Sequence, residues 1–149
     1  MSAGIVRLLR RATPFGHRRI LLLEDDTSMH RLVEKVLRPL HVTVELFGNG
    51  RAVVERLARR GERYDVLLLD LMMPHDGGLT VLRNLREHQP SLLGRVIVLT
   101  GSGRAATDPW SELVFAIVHK PFDPAALVET VQACVRQRRG KRVVEAKIA

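Results

Sequence analysis

The chain reads as an α/β fold, a five-stranded parallel sheet with helices on both faces. Two observations predict this. Short apolar runs bounded by turn signals recur along the chain, ILLL at 20–23, VLLL at 66–69 and VIVL at 96–99. Continuous runs of this length fit strands that are buried on both faces. Between them lie segments whose apolar residues fall at helical spacing. Strands that alternate with helices in this way give a parallel sheet joined by right-handed crossovers.

Residues 1–18 form no clear element, because the apolar, Arg-rich patch IVRLLRRA is broken by Thr13-Pro14 and Gly16. It reads as a stub of amphipathic helix or as disordered chain. The domain starts at Arg19, and its first strand, Ile20 to Leu23, ends in three acids, Glu24, Asp25 and Asp26. From Thr27 the period changes: Met29, Leu32, Val33, Val36, Leu37 and Leu40 keep helical spacing, with Thr27 or Ser28 available as cap and Pro39 closing the helix. HVTVELF, His41 to Phe47, is a strand rich in β-branched residues. Gly48-Asn49-Gly50 then turns into a second helix through Ala52, Val53, Leu57 and Ala58, ending at Gly61. That triplet begins like a dinucleotide fingerprint, but Val53 stands where the third glycine belongs, so a turn is the better account.

The third strand delivers Asp70 and stops at Pro74 and a glycine-rich turn. Leu79, Leu82 and Leu85 mark a third helix that ends between His88 and Pro90. Arg95 to Thr100 is the fourth strand, followed by a flexible Gly101-Ser102-Gly103 loop. Asp108-Pro109 is a cap with proline at the first helical position, opening a short fourth helix through Leu113. Phe115 to His119 is the fifth strand, leading into Lys120-Pro121. Asp123-Pro124 repeats the cap signal, and Leu127, Val131, Cys134 and Val135 form the buried stripe of a last helix.

A length of 149 residues suits one domain, and an apolar fraction of 46% supplies a core. The organisation expected is a basic extension over 1–18, a domain over 19–138 and a basic tail over 139–149, too short and polar to be an output domain. Cys134 has no partner for an internal disulfide, and no Cys/His cluster has zinc spacing. A reducing, cytoplasmic setting follows. No apolar run approaches the roughly 18 residues of a membrane span, and the N-terminus lacks a signal-peptide core. The net charge of +8 is confined to the ends: residues 1–19 and 136–149 each carry +5, and residues 20–135 sum to −2. Basic ends suit an acidic partner, anionic lipid or nucleic acid, yet solvated terminal charge is the commoner meaning.

In a parallel sheet the strands' carboxyl ends share one edge, where ligands of open α/β sheets bind. Here that edge gathers Glu24, Asp25 and Asp26 after the first strand, Asp70 after the third, Thr100 after the fourth and Lys120 after the fifth. Clustered carboxylates repel unless a cation joins them, and Mg²⁺ suits one or two carboxylates, waters and phosphate oxygens. An aspartate can itself attack phosphorus to give an aspartyl phosphate. Phosphoryl transfer needs positioning and charge neutralisation, which a metal ion and a lysine supply. Thr100 offers a hydroxyl to a phosphate oxygen.

With ILLLEDD, LLLDLMMP, VIVLTG and HKPF in order and near their expected spacing, the chain resembles the receiver domains of two-component response regulators, the CheY-like family. The resemblance covers about residues 19–138. It implies a flavodoxin-like (βα)5 three-layer sandwich with strand order 2-1-3-4-5. It further implies Asp70 as phosphoacceptor and metal ligand, Glu24 and Asp25 as the acidic pair that positions Mg²⁺, and Asp25 as the direct ligand of the two. Asp26 matches an acid that is not essential. The backbone carbonyl of Met72 matches the third protein ligand, Thr100 the switch hydroxyl and Lys120 the lysine that pairs with the phosphoryl group. Pro121 follows a peptide bond that is often cis in the family. The partners implied are a histidine kinase or histidine phosphotransfer protein as donor and a downstream protein as target, with a homodimer also allowed and nucleic acid not expected. Such a protein is a signalling switch rather than an enzyme, catalysing only its own phosphorylation and dephosphorylation.

Three departures stand out. Ile117 occupies the place of the family's inward-turning aromatic, and strand alternation puts Phe115 on the same side as Ile117 but further from the loop. Thr100 and Lys120 are about two residues closer in sequence than the family norm, and Asp76-Gly77-Gly78 sits one place early. The site chemistry is expected to survive and the output surface to differ. Two other classes share some of these features. A haloacid-dehalogenase-type hydrolase needs a second aspartate two residues after the nucleophile, where this chain has Met72. A receiver-like scaffold acting through its basic termini is the stronger alternative. His75 and His119 flank the expected site and could tune it.

Overall fold

The buried runs pair into one five-stranded parallel sheet in the order β2-β1-β3-β4-β5, the arrangement implied by the receiver resemblance. The structure is a computed structural model that describes residues 18–101 and 108–137. The basic extension apart from Arg18, the basic tail and the glycine-serine loop beyond Gly101 lie outside the described residues, as does the scaffold reading that rests on the termini.

The strands are β1 (Arg19–Leu23), β2 (Thr43–Phe47), β3 (Val66–Asp70), β4 (Val96–Thr100) and β5 (Ala116–His119). The α-helices among the described residues are α1 (Thr27–Leu37), α2 (Gly50–Leu57), α3 (Gly78–His88) and α4 (Pro124–Arg136). Alternate residues of each central strand enter two separate cores. Ile20, Leu22, Val66, Leu68, Ile97, Leu99 and Val118 meet Val33 and Leu37 of α1 and Leu127, Val131 and Cys134 of α4. Leu21, Leu23, Leu67, Leu69, Val96 and Val98 meet Val53 of α2 and Val81, Leu82 and Leu85 of α3. Burial on both faces is why β1, β3 and β4 are apolar without alternation. No helix among the described residues is long and apolar enough to cross a membrane.

Several local expectations are corrected. Thr27 and Ser28 do not cap α1; Asp26 does, its carboxylate accepting from the Ser28 and Met29 amides at 2.8 and 3.2 Å. Pro39 lies in a 3₁₀ turn, Arg38–Leu40, rather than simply ending the helix. His41 follows in the left-handed region at φ 53°, so β2 begins at Thr43 and not at His41. The second helix stops at Leu57, and Gly61 takes φ 82° in the turn beyond it. Leu32 and Leu79, which share the helical spacing of the buried positions, are 38% and 41% exposed. They sit one step off the buried stripes of their helices, which run through Val33 and Leu37 and through Gly78, Val81, Leu82 and Leu85.

The short fourth helix over 109–113 is absent. Its stretch forms single turns, with the Ser111 amide bonded to the Asp108 carbonyl and the Leu113 amide to the Trp110 carbonyl, both at 2.9 Å. Five residues are too few to offset the cost of helix nucleation, and Trp110, Leu113 and Val114 instead anchor the segment on the α2–α3 side. Phe115 precedes β5 rather than opening it, so strand alternation does not reach it. It packs in the α1–α4 core while Ile117 faces the other one, contrary to the expected shared side.

A polar cluster seals the opposite end of the sheet. Glu45 of β2 receives the guanidinium of Arg19, that of Arg56 at 3.0 Å and the hydroxyl of Tyr64, and Arg19 stacks over the Tyr64 ring at 4.6 Å. Burial pushes the Glu45 carboxyl up, but Tyr64, Arg19 and Arg56 outweigh it and hold it below its ordinary value of 4.5. Burial and the Glu45 carboxylate push the Tyr64 hydroxyl up to about 12. A carboxyl depressed by folding adds stability above its unfolded value and loses it as pH falls through the folded one. Glu45→Gln is therefore expected to cost about 1.5–3 kcal/mol at neutral pH, the worth of hydrogen bonds to a charged group. The difference from the parent chain should shrink below about pH 4.5, as urea denaturation at several pH values would show.

Candidate functional site

Parallel register brings the strand ends into line. Leu23 stands beside Leu69, Asp70 beside Leu99 and Thr100 beside His119. The residues that follow β1 and β5 therefore flank the end of β3. Glu24 is anchored there by its own amide, which donates to the Phe47 carbonyl at 2.9 Å, and Lys120 by its amide, which donates to the Thr100 carbonyl at 2.8 Å.

The side chains converge as the topology requires. Lys120 Nζ lies 3.0 Å from Glu24 Oε2 and 3.1 Å from Asp70 Oδ2. The other oxygen of each acid accepts a backbone amide: Glu24 Oε1 from Asp26 at 3.1 Å, Asp70 Oδ1 from Met72 at 2.9 Å. Both carboxylates are thus held between a main-chain donor and one ammonium, and both are almost wholly buried. Burial pushes the Glu24 carboxyl above its ordinary value of 4.5 despite the Asp26 amide and Lys120, with the Asp70 charge adding to the rise. For Lys120 burial acts downward, but Glu24 and Asp70 outweigh it and hold the ammonium above its ordinary value. It carries its charge at neutral pH.

Glu24, Asp25 and Asp70 each present an oxygen such that all three lie within 4.8 Å of one another. Asp25 is exposed and the other two are buried, so the cluster opens to solvent on one side. An all-oxygen set of this kind, carrying more negative charge than one lysine balances, fits a hard divalent cation such as Mg²⁺. Asp26 stays outside the set because its carboxylate is committed to capping α1.

Of the residues singled out in the sequence, Glu24, Asp25, Asp70 and Lys120 are brought together. Thr100 is fully buried at the end of β4, beside Lys120 through the main chain. Met72 is 60% exposed at the mouth. The Lys120–Pro121 peptide is cis. His75 and His119 are both exposed beside the site, His75 at φ 62°. Sequence reading missed Gly78: a Cβ there would stand 2.6 Å from the Asp70 carbonyl oxygen, so the start of α3 packs directly under the acid's own backbone. Only its place after a glycine-rich turn hinted at this.

Comparison with known proteins agrees with this geometry. A family model described as the response regulator receiver domain matches residues 20–132. The response regulator receiver protein CpdR of Brucella abortus is 33% identical over 117 residues, covering 77% of this chain and 94% of that protein. The DNA-binding transcriptional regulator NtrC of Escherichia coli is 31% identical over 131 residues, 85% of this chain but only 27% of NtrC. Among solved structures, the receiver domain of a sensor histidine kinase from Pseudomonas aeruginosa, with a magnesium ion coordinated in its active site cleft, superposes with a TM-score of 0.70 at 26% identity, covering 82% of this chain and all of that one (100%). TrrA from Thermotoga maritima, in complex with Mg²⁺ and BeF, gives 0.68 at 25% identity, over 78% and 98% of the two chains. A match that spans most of the chain, together with the strand order and the acidic cluster, makes this chain a member of the response regulator receiver domain family of two-component signalling.

Proposed function

We propose that the protein accepts a phosphoryl group on Asp70 from a phosphohistidine donor, with Mg²⁺ at Glu24 and Asp25, and that the modified site alters partner binding. The observation that carries this reading is the geometry of Asp70. It is buried, neighboured by a metal-competent acidic pair, and fixed at one oxygen by the Met72 amide and at the other by Lys120.

In the transfer, an Asp70 oxygen forms a new O–P bond as the N–P bond of the donor breaks. The electron pair of that bond stays on the donor imidazole. Glu24, Asp25, Asp70 and the Met72 carbonyl would hold a magnesium ion, which would supply positive charge beside the phosphoryl oxygens. Lys120, already 3.1 Å from Asp70, follows the charge from carboxylate to phosphoryl group. Thr100, whose carbonyl accepts from the Lys120 amide at 2.8 Å, offers its hydroxyl to a phosphoryl oxygen. The added charge of about −1.5 to −2 then biases the segments that carry Thr100 and Lys120. With Ile117 in the aromatic's place and turns where a fourth helix was expected, this chain's output surface differs from the common pattern. Its action is a switch in the cytoplasm, passing on a signal or the phosphoryl group, with no turnover of a separate substrate.

Incubation with acetyl phosphate and Mg²⁺ tests the reading. Wild-type chain is expected to gain an acid-stable, base-labile phosphoryl group that EDTA prevents, and Asp70→Asn to lose at least about 100-fold of the labelling rate, as removal of a nucleophile requires. Equal labelling of Asp70→Asn would sink it.

A further inference from the structure

The Gly48-Asn49-Gly50 triplet lies against the loop that follows Asp70. Asn49 closes the N-terminus of α2, its Oδ1 accepting from the Arg51 and Ala52 amides at 2.7 and 3.4 Å. The Gly50 amide points outward instead and donates to the Asp76 carbonyl at 2.6 Å. Arg51 Nε stands 3.9 Å from Asp76 Oδ2. A Cβ at position 50 would lie 2.6 Å from the Gly77 carbonyl oxygen and 2.8 Å from that of Asp76, whereas one at Gly48 meets nothing within 4 Å. Glycine is therefore required at 50 for the close approach of two backbones, and not at 48.

The loop is pinned elsewhere as well. The Leu71 amide bonds to the Leu99 carbonyl at 3.1 Å. The Met72 amide holds Asp70 Oδ1. After reversing through His75, the chain closes with the Gly77 amide on the His75 carbonyl at 3.0 Å. The α2 N-terminus supplies a further pin, at Asp76 and Gly77.

We propose that Gly50 is a positioning residue for the Asp70 site. Its bare backbone seats the α2 N-terminus on Asp76 and Gly77, which fixes the loop that carries Met72 and so the main-chain groups beside Asp70. The inference rests on the reading of Asp70 as an Mg²⁺-dependent phosphoacceptor. A methyl group at 50 would press on main-chain oxygens, which cannot rotate aside as a flexible side chain would, so the strain passes into the loop.

The test compares wild type with Gly50→Ala, Gly48→Ala and Gly77→Ala, whose Cβ would meet the Met73 Cβ at 3.0 Å. Mg²⁺ binding is read by titration calorimetry, and acyl-phosphate formation from acetyl phosphate is followed across Mg²⁺ concentrations, well below each variant's melting transition. Gly50→Ala is expected to weaken Mg²⁺ binding roughly 10- to 100-fold, the size typical of lost support around a metal site, and to raise the half-saturating Mg²⁺ in parallel. Gly77→Ala should move the same way by less, and Gly48→Ala should match wild type. A folded Gly50→Ala with wild-type Mg²⁺ affinity overturns the proposal, as does an unchanged Gly77→Ala if Gly50→Ala does not fold. Absence of acyl phosphate in the wild type would overturn the reading of Asp70 instead.

Discussion

Lys120→Met is expected to lower the unfolding free energy by about 3–5 kcal/mol in metal-free buffer, the usual cost of removing one partner from a buried ion pair. Methionine keeps the length and apolar body of the side chain, so the loss is chiefly electrostatic. The Glu24 and Asp70 side chains are 1% and 3% exposed and face the same ammonium at 3.0 and 3.1 Å. Without it, two buried carboxylates confront each other with Asp25 alongside. Mg²⁺ should restore part of the stability, because a divalent cation held by the same oxygens replaces the missing charge and binds only the folded chain. Urea denaturation with EDTA and with excess Mg²⁺ reads both effects. A variant as stable as the parent without metal would mean that the pair is screened and contributes little.

Leu68→Ala is expected to cost about 2–5 kcal/mol, the range for truncating a buried leucine to alanine. Leu68 is fully buried in the middle of β3, between Leu22 and Ile97 on the neighbouring strands, and belongs to the core shared by α1 and α4. The loss is a large share of the roughly 5–15 kcal/mol of a typical domain. The fold should yield while the chemistry holds. Asp70 lies beyond Leu68 at the strand end, and its geometry is set by Met72 and Lys120. Folded Leu68→Ala should accordingly still take up phosphoryl groups from acetyl phosphate at a temperature well below its melting point, since the Met72 amide and the Lys120 ammonium that hold Asp70 are untouched. Thermal melting and labelling on one preparation check the two halves.

The contrast between those two variants shows what the sequence could reveal. Runs such as Leu67 to Leu69 and Val96 to Leu99 are apolar at every position because both sheet faces are covered, and that leaves a pattern in one dimension. Once the strands are known to be parallel, the positions of Glu24, Asp70 and Lys120 at one edge follow from chain order. Local competition was harder to read. Asp26, Thr27 and Ser28 can all cap a helix, and only the turn geometry after β1 selects Asp26. The cap-and-proline signal at Asp108-Pro109 promised a helix, but five residues with Trp110 and Leu113 drawn into the core formed turns instead. Phe115 was misplaced because alternation was extended one residue beyond the strand. Least legible was Gly50, whose requirement comes from Asp76 and Gly77, some 26 residues away along the chain and meaningful only when α2 meets the loop.

The account turns on Asp70 as the site of phosphorylation. The most direct measurement is to phosphorylate the chain with acetyl phosphate and Mg²⁺, reduce the acyl phosphate with borohydride, and locate the resulting homoserine by peptide mass spectrometry. The account predicts conversion at Asp70, dependent on Mg²⁺, with Asp25 and Asp26 unmodified. Conversion at Asp25 or Asp26 with Asp70 intact, or no conversion at any position, would contradict it.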